Sequence, residues 1–331
     1  MAALIERFLF IYLSSPTSST SSSQGMPRKD RPPSFSHPRY WSTWLAIGAM
    51  HVAAWLPWRL RLWIGAGIGR LAHRFAGRRR RITETNIRLC FPELRDAQQR
   101  ALVKDIFRAN GIGILETATA WCRDPEHLRH RVIFKGQAHM ARLQRQGQGA
   151  LILGMHFSTL DLGAALHSLF FRADAVYRPH NNPLFDRFMG RARQDYFDAT
   201  LDRHDLRGVV RRIKAGHGVW YSPDQDFGRD ASVFAPFFGI QAASVRMTAR
   251  IAQMTGAPVI PLIFHRNPDD RTYTMEYLPP LEDFPSGDEV ADATRINTII
   301  EAAIRKHPEQ YLWLHRRFKT RPAGEPRFYS R

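Results

Sequence analysis

An α/β domain is the fold class this sequence predicts, and three observations predict it. Short apolar runs stand far apart, at Ala150-Leu151-Ile152-Leu153, Val219-Trp220-Tyr221 and Val259 to Phe264. Stretches with helical periodicity fill the intervals, at roughly 158–171, 184–197, 205–215 and 244–255. The composition is globular, with 44% apolar and 24% charged residues in a chain of 331. Strands alternating with helices predict a largely parallel or mixed sheet flanked by helices. No internal repeat is visible. The expected organisation is a tail over residues 1–40, an anchoring segment over 41–76 and one main domain over 77–331.

The tail divides in two. Leu9-Phe10-Ile11-Tyr12-Leu13 is too short to span a bilayer, and no small-residue cleavage site follows it. Ser14 to Gln24 is almost all Ser and Thr, and a Pro-rich basic stretch leads to Arg39. Such a segment buries too little apolar surface to offset the entropy of ordering it, so it reads as disordered. Met26 offers an alternative start, which would make residues 1–25 an artefact of annotation.

From Trp41 to Trp58 there is no formal charge, and Trp residues stand at both ends. Eighteen such residues reach the lower limit for a transmembrane helix, although Gly48, His51 and Pro57 weaken that reading and a buried core helix is its rival. Leu60, Ile64, Ile68, Leu71 and Phe75 follow on one helical face, with Arg59, Arg61 and Arg70 off it, which reads as an interfacial helix. Residues 59–108 hold 13 Lys/Arg against 4 Asp/Glu, half the +18 excess of the whole chain. Basic residues beside an apolar anchor suit an anionic leaflet, and the positive-inside rule puts the chain after Trp58 on the cytoplasmic side. Attachment to the membrane is expected; whether 41–58 crosses it is open. Helical periodicity resumes from Leu94 to Trp121.

The charge excess calls for polyanionic company: nucleic acid, an anionic membrane or a phosphorylated substrate. Nucleic acid is disfavoured, because the basic residues are spread along the chain and concentrate beside the apolar segment, with no helix-turn-helix, RRM or zinc finger. The two cysteines, Cys90 and Cys122, cannot build a disulfide framework or a four-Cys zinc site, and they suit a reducing compartment. No metal site and no cofactor are expected. Phosphate loops, zinc helices, nucleophile elbows and dinucleotide fingerprints are all absent.

The most informative segment runs from Leu151 to Asp161. An apolar strand leads into His156, and Asp161 follows five residues later. If Ser158 caps the next helix, Asp161 falls in its first turn and can reach back to the imidazole, fixing its tautomer and stabilising the imidazolium. That is the histidine–carboxylate half of a triad, so the nucleophile would be a substrate hydroxyl. Two plainer readings stand beside it. Ser158-x-x-Asp161 is also a capping-box pattern, and His156 could be a satisfied core histidine.

An H-x4-D pattern after an apolar strand resembles the signature of membrane-associated glycerolipid-type acyltransferases. From about Arg39 to Tyr329 the chain resembles one branch of them, the late acyltransferases of lipid A biosynthesis, close to the lauroyl transferases of Gram-negative bacteria. Four segments in order carry this resemblance: Thr85 to Leu94 (TNIRLCFPEL), Tyr177 to Leu184 (YRPHNNPL), Ser222 to Gly228 (SPDQDFG) with Phe234 to Gly239 (FAPFFG), and Pro308 to Pro322 (PEQYLWLHRRFKTRP).

The resemblance implies transfer of a fatty acyl chain from acyl carrier protein, as co-substrate, to a 3-hydroxyacyl hydroxyl of a lipid A precursor, at the cytoplasmic side of the inner membrane. His156 would be the general base, oriented by Asp161. Arg178 occupies the position of a family arginine and would serve the oxyanion or position substrate; an ion pair with Asp186 is its plainer reading. Asp224, with Gln225 beside it in the turn after Tyr221, becomes a substrate-binding residue, or else simply an Asp in a Pro-Asp turn. Arg316, Arg317 and Lys319, with Arg321, would contact phosphate or form a solvated face. Phe234, Phe237 and Phe238 would line an acyl groove or belong to the core. An acyltransferase of the same fold acting on another membrane glycolipid or glycerol phosphate is the alternative.

Overall fold

A computed structural model describes residues 35–329. The tail up to residue 34, with its alternative start, lies outside the described residues.

The uncharged segment makes a helix shorter than its length in sequence. Helix α1, Trp41–Trp55, stops where Leu56 turns extended ahead of Pro57, as a residue before proline is biased to do. Its 15 residues rise about 22 Å, short of the ~30 Å hydrocarbon core. No helix among the described residues is long and apolar enough to cross a membrane. The helix expected over 41–58 therefore ends at Trp55, and Trp58 already opens the next helix, because Pro57 breaks the run.

Helix α2, Trp58–Phe75, is followed by α3, Gly77–Cys90, and crosses the 27-residue α4, Asp96–Cys122, with Gly65 and Gly69 against it. A methyl group at Gly69 would fall 2.2 Å from the Phe107 carbonyl oxygen, and one at Gly111 2.3 Å from that of Gly65. With glycine inward, the stripe read from sequence turns outward: Leu60, Leu71 and Phe75 are exposed. Arg61 departs from expectation. It is buried, donates to Thr119 Oγ1 at 2.5 Å and to the Ala54 carbonyl at 3.3 Å, and lies over the Trp58 ring.

Among the described residues the main sheet has seven strands. In chain order they are β1 (Val132–Lys135), β2 (Ala150–Leu153), β3 (Ala173–Tyr177), β4 (Thr200–Asp202), β5 (Gly218–Tyr221), β8 (Val259–Arg266) and β9 (Tyr273–Tyr277). β6 (Ser232–Phe237) and β7 (Ile240–Val245) pair separately as an antiparallel hairpin. The sheet order is β1-β9-β8-β2-β5-β3-β4, and every pairing is parallel except β8 with β9. A mostly parallel sheet flanked by helices matches the expected class.

The central strands read as continuous apolar runs because both faces are covered. Leu151 and Leu153 enter one core cluster, Ala150 and Ile152 the other. The outer strands β1 and β4 are only partly buried, and the three-residue β4 carries no such run. The remaining helices are α5 (Gln137–Arg145), α6 (Leu160–Ser168), α7 (Pro183–Gln194), α8 (Leu206–Lys214), α9 (Met247–Thr255) and α10 (Glu289–Lys306). Four of these, α6 to α9, match the helical stretches expected from periodicity. The hairpin closes through Phe238 and Gly239, both at positive φ, the geometry of a two-residue turn that matches strand twist.

Candidate active site

Register brings the site together. β2 and β5 pair with Leu153 opposite Tyr221. His156 lies three residues past the first and Asp224 three past the second, so equal steps off paired strands bring the two side chains face to face. Asp224 Oδ1 lies 2.6 Å from His156 Nδ1, and its Oδ2 accepts the His156 backbone N–H at 2.9 Å. Asp224 is buried, while the His156 side chain is 22% exposed and lines a cavity of about 540 Å³.

Burial disfavours charge on His156, but the charge of Asp224 and its hydrogen bond outweigh this and hold the imidazole above its ordinary value. Burial likewise opposes ionisation of Asp224, yet His156 and the hydrogen bonds to the carboxylate hold it below the usual range. The two shifts have one cause, a pair that favours imidazolium and carboxylate together.

Asp161 is placed elsewhere than expected. Helix α6 begins at Leu160, with Thr159 as N-cap and no side-chain cap; the backbone N–H of Ser158 goes instead to the Gln310 carbonyl at 2.7 Å. The capping box therefore does not form. The Asp161 carboxylate accepts from Arg193 Nη2 at 2.9 Å and from Trp121 Nε1 at 3.2 Å. It lines the same cavity as His156 and adds to the field on the ring, but the carboxylate on Nδ1 is Asp224.

The other expected residues divide. Arg178 follows β3 and Arg203 follows β4, each one step past the paired Tyr177 and Asp202; both line the cavity. Burial, then the charge of Arg203, lowers the pKa of Arg178. Asp186 accepts from the His180 backbone N–H at 2.6 Å. Gln225, Arg316 and Lys319 also border the cavity.

Arg317 is a partial correction: it borders the cavity with Arg316 and Lys319, but its hydrogen bonds go elsewhere. It is buried and donates to the Ala243 carbonyl at 2.8 Å and to Ser244 Oγ at 3.2 Å, with its guanidinium over the Phe237 ring. These bonds commit it to holding β7. The acyl-groove reading of Phe234, Phe237 and Phe238 fails too, since the cavity lining includes none of them; Phe237 and Phe238 are core, packed with Trp313 and Phe318. The apolar wall comes from Trp121, Ala164, Phe185, Met189, Phe197 and Trp220.

The C-terminal segment supports the site. Leu312 N–H donates to the His156 carbonyl at 3.0 Å, and Tyr311 Oη donates to the Asp224 carbonyl at 3.2 Å. Asp226 accepts from the backbone and hydroxyl of Thr320 at 2.8 and 2.9 Å. Buried Asn86 donates to the Trp313 and Trp313-proximal His315 carbonyls at 2.7 and 2.8 Å. His315 borders the cavity, where burial above all pushes it down to about 3 and keeps it neutral. Among the described residues the one cluster with metal-ligand spacing is Asp174, Asp198 and His217. It stands by the amino ends of β3 and β5, where Arg212 and Arg172 already pair with the two carboxylates at 2.6 and 3.0 Å.

An α/β fold with a histidine–carboxylate pair past its parallel strands, in a cavity lined by both apolar and cationic side chains, has the chemical means to move a proton. The comparisons with known proteins make this specific. The family model described as bacterial lipid A biosynthesis acyltransferase matches residues 28–320, and the chain belongs to that family. It is 41% identical to the lipid A biosynthesis lauroyltransferase of Escherichia coli (strain K12), over 88% of this chain and 96% of that one. It is 38% identical to the palmitoleoyltransferase of the same strain, over 89% and 96%, and 30% identical to its myristoyltransferase, over 94% and 96%. The protein is an acyltransferase of lipid A biosynthesis.

Proposed function

We propose that this protein transfers a fatty acyl chain of the lauroyl type from acyl carrier protein to a hydroxyl of a lipid A precursor, forming a secondary acyloxyacyl ester at the cytoplasmic side of the inner membrane. The observation that carries the chemistry is the contact of His156 with Asp224 inside the cavity. With Nδ1–H donated to Asp224, Nε2 of the neutral ring holds the lone pair that accepts the proton of the acceptor hydroxyl. The hydroxyl oxygen attacks the thioester carbon, and the carbonyl oxygen takes the negative charge. As the intermediate collapses, the carbon–sulfur bond breaks and the imidazolium returns its proton to the leaving thiolate. Asp224 stabilises that imidazolium throughout.

The cavity walls suit such a substrate. The apolar wall fits an acyl chain, and Arg178, Arg203, Arg316 and Lys319 fit an anionic headgroup. Among the described residues, nine of the thirteen exposed large hydrophobic side chains lie on α1 and α2, beside the basic run Arg78 to Arg81, which supports seating on an anionic leaflet. Purified full-length protein supplied with lauroyl-acyl carrier protein and a lipid A precursor should form the ester, and His156→Ala should lose roughly 10²–10⁴-fold in turnover. Mass spectrometry of lipid A from cells lacking the protein should show one secondary acyl group missing. Unchanged lipid A there, together with no transfer in vitro, rejects the reading.

A further inference from the structure

We propose that Arg193, held by Asp161, is the cationic group that receives the charge developing on the thioester carbonyl oxygen, so that Asp161 serves the reaction through an arginine. The inference rests on the acyl-transfer reading above.

Helix α7 explains why a guanidinium reaches this place. Phe185, Met189 and Arg193 recur every four residues on one face; the first two are buried, whereas Arg187 and Arg191 on the other side are exposed. The helix is fixed at its start, where Asn182 caps the N–H groups of Leu184 and Phe185 and also donates to Thr43 Oγ1 at 2.8 Å. Arg193 is thus delivered from the apolar side of its own helix into the cavity that His156 lines. Its side chain is 18% exposed, against 8% for Asp161. The shared carboxylate oxygen also accepts from Trp121, whose ring lies 5.9 Å from the Arg193 guanidinium. Carboxylate and indole together fix where the charge sits.

Position decides between the cavity's arginines. His156 lies in the β2–α6 connection and Asp161 in the first turn of α6, and both Asp161 and the guanidinium it holds act on the charge of the imidazole within one cavity. Arg178 and Arg203 follow β3 and β4, and β5 stands between those strands and β2. They are placed for the far, anionic end of the acceptor. Charge balance agrees: Asp161 raises and Arg193 lowers the basicity of His156, so the ion pair leaves control of the ring to Asp224.

The test uses the full chain with lauroyl-acyl carrier protein and a lipid A precursor, measuring turnover, KM and the pH profile for Arg193→Gln, Arg193→Lys, Asp161→Asn and the Asp161→Asn/Arg193→Gln double variant. Arg193→Gln should lose about 10²–10³-fold in turnover, as removal of one oxyanion donor does, with KM changed only a few-fold. Asp161→Asn should lose most of that, and the double variant should be no worse than Arg193→Gln alone. Arg193→Lys, which keeps the charge and the fold, should recover part of the loss. The acid limb of the profile should move to lower pH in Asp161→Asn and to higher pH in Arg193→Gln. Near-native turnover in folded Arg193→Gln, or full additivity of the two losses, overturns the inference. Because the unsubstituted chain is assayed alongside, transfer by it with no loss in the variants rejects this inference and leaves the proposed function standing.

Discussion

Asp224 decides the behaviour of His156 by proximity. A base must be unprotonated to accept, and this ring has its pKa raised, so the active fraction falls as pH drops through that raised value. Turnover should therefore show an acid limb above pH ~6.5, the ordinary imidazole value. Asp224→Asn removes both the charge and the tautomer-fixing acceptor. It should move the limb to lower pH and cost roughly 10²–10⁴-fold on the plateau, both read from one pH–rate profile. A limb unmoved in Asp224→Asn would count against the pairing of these two residues.

Two elements hold this geometry from a distance. The segment after α10 bonds both the His156 loop and the Asp224 carbonyl, and α3 clasps that segment through Asn86 and through Arg79, which donates to the Leu314 carbonyl at 3.1 Å. Asn86→Ala strands two carbonyls in a buried place, at about 1–3 kcal/mol each. It should lower the unfolding midpoint and also reduce turnover, since the loop holding the base loses its brace. The α2–α4 crossing makes a different demand. Gly69→Ala would press a methyl group onto backbone, costing about 1–3 kcal/mol in thermal or denaturant unfolding, with little effect on the pH profile because the crossing bears no site residue.

At the scale of the molecule, the exposed apolar face of α1 and α2 governs where the protein sits. Trp55 and Trp63 are each 68% exposed and Leu45 is 74% exposed. Burying one such side chain in a bilayer interface contributes about 1.5–3 kcal/mol. Replacing Leu45, Trp55 and Trp63 with Ser should therefore cut partition into vesicles containing anionic lipid by tenfold or more, measured by sedimentation. Raised salt should weaken binding of the unsubstituted chain, because the contribution of exposed Arg78 and Arg81 is screened. Binding indifferent to both changes would refute this mode of attachment.

What could be read along the chain is what local burial writes into it. β2 and β5 were legible because strands covered on both faces must be apolar throughout, and His156 stood out as a titratable group ending such a run. The α2 stripe was legible by its helical period, though only packing showed which way it faces: glycine contact with α4 turns the larger side chains outward. β4 at the sheet edge, short and half-covered, left no comparable trace. The partner of His156 is a matter of register. Asp161 is near in sequence, but the pairing of Leu153 with Tyr221 puts Asp224 on the ring and frees Asp161 to hold Arg193. Likewise Arg316 and Arg317 are neighbours in one basic cluster and both border the cavity, yet Arg317 is buried and bonded to β7. Sequence determined which residue types were present and which segments had to be buried, since each residue's own solvation sets those. Tertiary structure alone decided which carboxylate meets which base, because that follows from strand order and register, and the paired β2 and β5 that carry the two come from well-separated segments of the chain.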